Sequence, residues 1–164
     1  MNFPTTWSGG ALAVPEPGPD AVLSWSADYD AFLAEAGPMI EAHWNEVGAF
    51  RDVLRLNPKH ETYRAAAARG QLHILTARIG VELAGYLFVF AVPYPRDQDA
   101  IVGRDDIIYV APRFRSMFLG WRMIREAERY LTRDIGVHLL LFTEKAGRGG
   151  YLGRLGFTPK ETIF

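Results

Sequence analysis

The chain contains no cysteine. That absence excludes disulfides, thiolate zinc sites and a cysteine nucleophile together, and it agrees with a reducing cytoplasm. Net charge is nearly absent too: 18 Lys and Arg against 19 Asp and Glu leave −1. No basic field marks a nucleic-acid binder, so nucleic acid is not indicated as a partner. No apolar run reaches the ~18–20 residues of a membrane span. The N-terminus has no basic segment followed by an apolar core, so neither a membrane partner nor a secretory leader is expected. His43, His60, His73 and His138 are scattered, with no metal-ligand spacing and no Ser-centred triad around them. No metal site is expected.

What is present is an ordinary soluble composition, 49% hydrophobic and 23% charged over 164 residues. This length suits one domain with a proper core. Residues 1–20 carry Gly9-Gly10 and Pro15, Pro17 and Pro19 with little apolar pattern. They read as an extended arm, and 21–164 as a single domain. The arm is either a plain leader or a tether that holds a homo-oligomer or larger assembly.

Periodicity then gives the order of elements. Ala21 to Ser26 alternates as a first strand. Tyr29 to Val47 places Phe32, Leu33, Ala36, Met39, Ile40, His43, Trp44 and Val47 at helical spacing, with Gly37-Pro38 as a kink or a division. Asn57-Pro58 predicts a cap and first helical residue, and Gly70 a stop. Gln71–Ile79 and Val81–Val92 predict an antiparallel hairpin about Gly80. A loop over 93–103 and a strand over 105–111 follow. Gly120–Arg133 predicts an amphipathic helix with Trp121, Ile124, Ala127 and Leu131 inward. Val137–Phe142 predicts a strand, Thr143–Leu155 a Gly-weakened helix, and Phe157 the start of a last strand. Three consecutive strands followed by alternation predict a mixed α/β sheet, antiparallel first and parallel where helices cross over.

The segment carrying chemistry runs from Asp105 to Trp121. It reads as an apolar strand, a Pro112 turn, an Arg-bearing loop and a helix start. Such a loop aims backbone N–H groups and the positive helix end at one point, which suits a phosphate. Pro112, Arg115 and Gly120 fall on the pattern Pro-x-x-Arg/Gln-x-x-Gly-x-Gly/Ala. Phe118 stands where that pattern has its first Gly. If the position needs φ > 0, a non-Gly residue there costs roughly 1–2 kcal/mol. Further on, Tyr151-Leu152-Gly153-Arg154-Leu155-Gly156-Phe157 is similar to Phe-Tyr-x-x-Leu-Gly-Phe.

These two motifs resemble those of the GNAT (GCN5-related) N-acetyltransferases, and the order of elements over residues 22–164 is similar to that family's fold. Glu41-Ala-His-Trp44, Leu56-Asn-Pro58 and Thr76-Ala-Arg78 through Ala84-Gly-Tyr86 resemble small phage and prophage members. The resemblance implies a central mixed sheet flanked by helices, with acetyl-CoA as co-substrate. It assigns the pantetheine to Ile108, Tyr109 and Val110, where a strand bulge frees backbone N–H groups. It assigns the pyrophosphate to Arg115 and to Ser116, Met117, Phe118, Leu119, Gly120 and Trp121. The acceptor is then an amine on a small molecule or a protein, and the location the cytoplasm, or a host cytoplasm or virion if phage-encoded.

Three residues are candidates for proton transfer. Asp106 lies six residues before Pro112, where the resemblance puts an active-site carboxylate. On a regular strand Asp106, Ile108 and Val110 share one face, and Asp105, Ile107 and Tyr109 the other. One of the two aspartates therefore faces the cleft; otherwise both merely begin the strand. Glu46 lies three residues after His43 on one helix face, either beside the acceptor pocket or as a plain helix end. Tyr151 stands one place before the family's tyrosine, a position filled here by Leu152, so it is either a proton donor or a packed ring. Gly147-Arg-Gly-Gly150 resembles a phosphate loop only loosely, with Arg148 as its one cation. Phe118, Leu152 and the Gly-rich last helix fit an alternative, a catalytically inactive GNAT-fold module serving as a binding or phage-particle component.

Overall fold

A computed structural model describes residues 21–48, 51–144 and 150–159, with backbone alone at Ser116 and Met117. The expected arm over 1–20 and Arg148 lie outside the described residues. The elements are β1 (Ala21–Ser26), α1 (Tyr29–Val47), α2 (His60–Ala68), β2 (Leu72–Ile79), β3 (Glu82–Pro93) and β4 (Ile101–Val110). A 3-10 turn (Pro112–Met117), α3 (Leu119–Arg133), β5 (Leu139–Leu141) and a single turn α4 (Tyr151–Arg154) complete them. The five strands form one mixed sheet in the order β1-β2-β3-β4-β5. The first three pairings are antiparallel and β4–β5 is parallel.

Alternation along the strands builds two cores. On one face Leu75, Ala77, Leu87 and Val89 pack against Leu119, Met123, Ala127 and Leu131 of α3. On the other, Leu72, Ile74, Tyr86, Phe88 and Tyr109 pack against Tyr29, Phe32 and Ala36 of α1 and Ala66 of α2. Burying one Leu or Phe side chain contributes roughly 1.5–3 kcal/mol, so these two layers hold the sheet between its helices.

Several boundaries differ from the sequence expectation, each for a local reason. Pro38 sits inside one continuous α1 and divides nothing. The second helix starts at His60, with Lys59 at its N-cap rather than Asn57. Here the His60 amide bonds the Pro58 carbonyl at 3.0 Å and Lys59 takes φ −79°, ψ 81°, so an inverse γ-turn comes first. Gly70 does close the helix: at φ +67° it lets Gln71 N–H reach Ala66 and its own N–H reach Ala67, a Schellman motif. β4 begins at Ile101 because Ile101, Val102 and Gly103 pair with Pro93, Val92 and Ala91. Gly103, read as loop, is a close approach: a Cβ there would lie 2.8 Å from Leu140. β5 is shorter than expected; of the helix expected over 143–155, 145–149 lie outside the described residues, and among those described the helical part is Tyr151–Arg154. Phe157 opens no strand within 157–159; its ring instead meets Phe142 edge-on at 5.3 Å.

Among the described residues one buried side-chain nitrogen is left without a partner. His73 Nε2 has no hydrogen-bond partner, and its ring sits against Trp25 and Tyr130, which stack at 4.3 Å. Burial holds the imidazole below its ordinary pKa of 6.5. The unfolded chain therefore takes this proton first, so the stability present above pH 6.5 is lost as pH falls toward the folded value. Denaturant titrations at pH 7.5 and 5 should show His73→Leu losing less stability on acidification than the wild type. Equal losses would mean that His73 does not carry this dependence.

Candidate active site at the fork of two strands

The β4–β5 ladder holds only for Val102, Gly103 and Arg104 against Leu139, Leu140 and Leu141. Beyond it the two strands separate. β4 continues to Val110 with β3 on one side, and among the described residues no strand pairs with its other edge. Ala111 N–H bonds Ala84 O on β3, so by alternation Ile108 and Val110 turn their backbone groups away from β3, toward the opening. These are two of the strand residues named from the sequence.

A bulge lies at the base of this open stretch. The register runs Phe88 to Ile107 and then Val89 to Asp105, so Asp106 is the extra residue. This corrects the regular-strand expectation. Asp106 does not share a face with Ile108 and Val110, which pack on the α3 side. It turns to the α1–α2 face, where its Oδ2 accepts the Tyr63 hydroxyl at 2.8 Å. An inserted residue shifts the period-two alternation by one, and sequence periodicity cannot show that. Asp106 is exposed, and among the described residues no Arg, Lys or His pairs with it. Tyr63 stacks on Tyr29 at 4.9 Å, and Tyr29 in turn bonds His60 at 2.9 Å. Burial, with the Asp106 charge second, raises the Tyr63 pKa and keeps the phenol a donor.

Asp105 points elsewhere. Its Oδ1 accepts the Thr143 amide at 2.8 Å and the Thr143 hydroxyl at 3.1 Å, at the crotch of the fork. Burial raises its pKa, opposed by the Thr143 hydrogen bonds and reinforced by Asp106.

Glu46, Tyr109 and Arg115 meet at the far end of β4. The Arg115 Nη1 and Nη2 reach Glu46 at 2.6 and 2.7 Å, and its Nε donates to Val110 O at 3.0 Å. The guanidinium lies over the Tyr109 ring at 5.5 Å, and the Tyr109 hydroxyl donates to Glu46 Oε2 at 3.0 Å. His43 stacks on Tyr109 at 4.5 Å, with its Nδ1 2.7 Å from the Tyr86 hydroxyl. The side-chain hydrogen bond to Glu46 raises the Arg115 pKa further. Arg115 thus braces the end of α1 to the end of β4, and Glu46 carries a bidentate counter-charge.

The loop then enters α3 through Phe118, at φ 52°, ψ 21°. Among the described residues this is the one non-glycine with positive φ. The left-handed position anticipated for the missing Gly is therefore real, and Phe118, 56% exposed as a residue, occupies it. Among the described residues no side chain caps α3, and the amides of Leu119, Gly120 and Trp121 have no acceptor within the helix itself. Gly120 sits beside both neighbours of this end: a Cβ there would make ordinary contacts, 3.5 Å from the Tyr151 hydroxyl and 3.8 Å from Val110. Tyr151, named from the sequence, thus reaches the junction of β4 and α3. Burial pushes its pKa up to about 12, so it stays protonated at neutral pH. Sequence reasoning missed Tyr63 and Thr143, because each is joined to its aspartate only through the bulge and the fork.

No family model matches the chain, and no curated protein matches it. Solved structures do. One is an aminoglycoside acetyltransferase from an uncultured soil metagenomic sample in complex with sisomicin, at TM-score 0.67 and 10% identity, covering 88% of this chain and 92% of that one. Another is the ribosomal-protein-alanine N-acetyltransferase of Brucella melitensis biovar Abortus 2308, at 0.60 and 14%, covering 88% and 96%. A third is glucosamine-6-phosphate N-acetyltransferase from Arabidopsis thaliana, at 0.63 and 10%, covering 87% and 96%. The chain has the GNAT fold. The expected central mixed sheet flanked by helices is what the structure contains.

Two outcomes are expected. Phe118→Gly relieves a left-handed cost of roughly 1–2 kcal/mol and adds roughly 0.5–1 kcal/mol of unfolded-state freedom. Denaturant titration should therefore show a net gain on the order of 0.5–1 kcal/mol; a loss would mean that the exposed ring packs on something. A double-mutant cycle on Arg115→Ala and Glu46→Ala should give a coupling of about 1 kcal/mol, at the upper end for a half-exposed pair because the geometry is bidentate. Additive losses would remove the brace.

Proposed function

We propose that the protein is an acyl-CoA-dependent N-acyltransferase that moves an acetyl group from acetyl-CoA to a cationic amine. The observation that carries this reading is one continuous strip. It comprises the β4 edge at Ile108 and Val110, the uncapped amides of Leu119, Gly120 and Trp121, and the Tyr151 hydroxyl beside them. A pantetheine arm pairs with a strand edge, and a pyrophosphate suits helix-start amides, so the strip fits the cofactor from end to end. The GNAT fold of solved acetyltransferases supports the same assignment.

When bound, acetyl-CoA supplies an activated thioester. The chain does the rest. Ile108 and Val110 hold the pantetheine along β4 and polarise the acyl oxygen through their N–H groups. Leu119, Gly120 and Trp121, with the preceding turn, hold the pyrophosphate. Arg115 fixes the Val110 carbonyl and the approach of the loop. Asp106, on the opposite face from α3 and without a cation partner among the described residues, attracts an ammonium and takes its proton, directly or through water. Tyr151 remains protonated and donates toward the slot where a thiolate would leave. Glu46 is paired with Arg115 and Tyr109, so we assign it to bracing rather than to proton transfer.

A second reading has one specific observation in its favour. Phe118 places a large, exposed ring at the left-handed position before α3, where glycine would give a phosphate closer approach. A GNAT-fold module without chemistry, including one carried in a phage particle, would tolerate that ring.

Release of CoA thiol should be followed across polyamines, aminoglycosides, amino sugar phosphates and peptides with free N-terminal alanine. Turnover is expected with one class of cationic amine. Asp106→Asn should keep acetyl-CoA affinity while lowering turnover by roughly 10²–10⁴. A rise in KM at unchanged kcat would make Asp106 an ammonium anchor only. No thiol release with any amine, together with no stabilisation by acetyl-CoA, would favour the module without chemistry.

A further inference from the structure

The fork itself needs a cause, and the structure assigns one: Asp105 is the positioning residue that opens it. The Ala91 amide bonds Gln71 O on β2, so the Ala91–Gly103 pair exchanges no hydrogen bonds, and Gly103 turns its backbone toward β5. Asp105, paired with Val89 two residues on, does the same. Gly103 opposes Leu140, so continuing that register would set Asp105 against Phe142 and bring the Thr143 amide to the Asp105 carbonyl.

The ladder does not continue that way. The Thr143 amide goes to the Asp105 side chain, with Oδ1 at 2.8 Å, and the Thr143 hydroxyl joins it at 3.1 Å. A side-chain carboxylate replaces the backbone carbonyl as acceptor, which holds the two backbones apart by the length of that side chain. The next residue, Asp106, is the bulge, so β4 also changes its course there relative to β3. The pair Asp105-Asp106 therefore has divided roles: Asp105 wedges β4 from β5, and Asp106 is thrown onto the opposite face. Asp105 is half-buried and its charge is disfavoured there by burial, a cost that the two Thr143 donors offset in part.

The inference rests on the proposed CoA reading only for what the slot holds; the wedge itself is a statement about one hydrogen bond. NMR through-hydrogen-bond coupling identifies the acceptor of the Thr143 amide directly. In the wild type the coupling should run to the Asp105 side-chain carboxyl carbon. Asp105→Asn keeps an acceptor oxygen and should hold acetyl-CoA within about threefold of wild type. Asp105→Leu has none; the ladder should extend, with Thr143 coupled to the residue-105 backbone carbonyl, and acetyl-CoA should bind roughly tenfold more weakly. Wild-type coupling to the backbone carbonyl would overturn the wedge, as would Asp105→Leu binding acetyl-CoA as tightly as wild type. A wild type with no affinity for acetyl-CoA but with the side-chain coupling, shifting to the carbonyl in Asp105→Leu, would support the wedge and reject the CoA reading.

Discussion

The parallel pairing of β4 with β5 stops after three residues, while β4 runs on for six more. A strand edge left open inside a sheet is costly unless something takes its backbone groups. The candidate site is organised around that constraint. Asp105 ends the ladder, Ile108 and Val110 present the open edge, and the Arg115 side chain takes the Val110 carbonyl at its far end. The helix that begins directly beyond the edge adds its own uncapped amides. One linear array of donors results, bounded by an aspartate at one end and a helix start at the other.

The two faces of the sheet give this array different surroundings. On the α3 side Leu119, Met123, Ala127 and Leu131 make a dry, well-packed layer that fixes the helix start against the strand. On the α1–α2 side the layer is aromatic and hydroxyl-rich, with Tyr29 stacked on Tyr63, with His43, Tyr86 and Tyr109 in contact, and with Phe88 between the two groups. Burial raises the pKa of each of these tyrosines, so all of them stay protonated at neutral pH. The carboxylates they approach, Asp106 and Glu46, differ in one respect. Glu46 has Arg115 as a cation partner, whereas among the described residues Asp106 has a phenol only. That difference separates a brace from a group able to recognise a cation.

Much of the fold was legible because its elements are strongly periodic. The hairpin about Gly80, the α3 face and the order of strands follow from spacing alone. The phosphate-loop reading came from Pro112, Arg115 and Gly120, and the αL conformation at Phe118 was anticipated from a missing glycine. What could not be read was anything that breaks a period or depends on distance. The bulge at Asp106 shifts the strand's alternation by one, for Asp105 as well as for Asp106, without leaving a composition signal. Thr143 reaches Asp105 across 38 positions, and Arg115 reaches Glu46 across 69. Gly103 resembled a loop glycine, yet it is a contact point for Leu140. At Thr143, Glu144 and Gly150, which the expected last helix included, the chain is not helical, because neighbouring glycines give propensity little to say.

The central claim is that the β4 edge and the α3 start act as one binding strip. Backbone amide NMR during an acetyl-CoA titration tests it most directly. The account predicts saturable shifts concentrated at Ile108, Val110, Leu119, Gly120 and Trp121, with the amides of β1 and β2 unmoved. Shifts confined to another surface, such as the shallow cleft between α1 and the β3 start around Met39 and Leu83, would contradict it. So would an unchanged spectrum at millimolar acetyl-CoA.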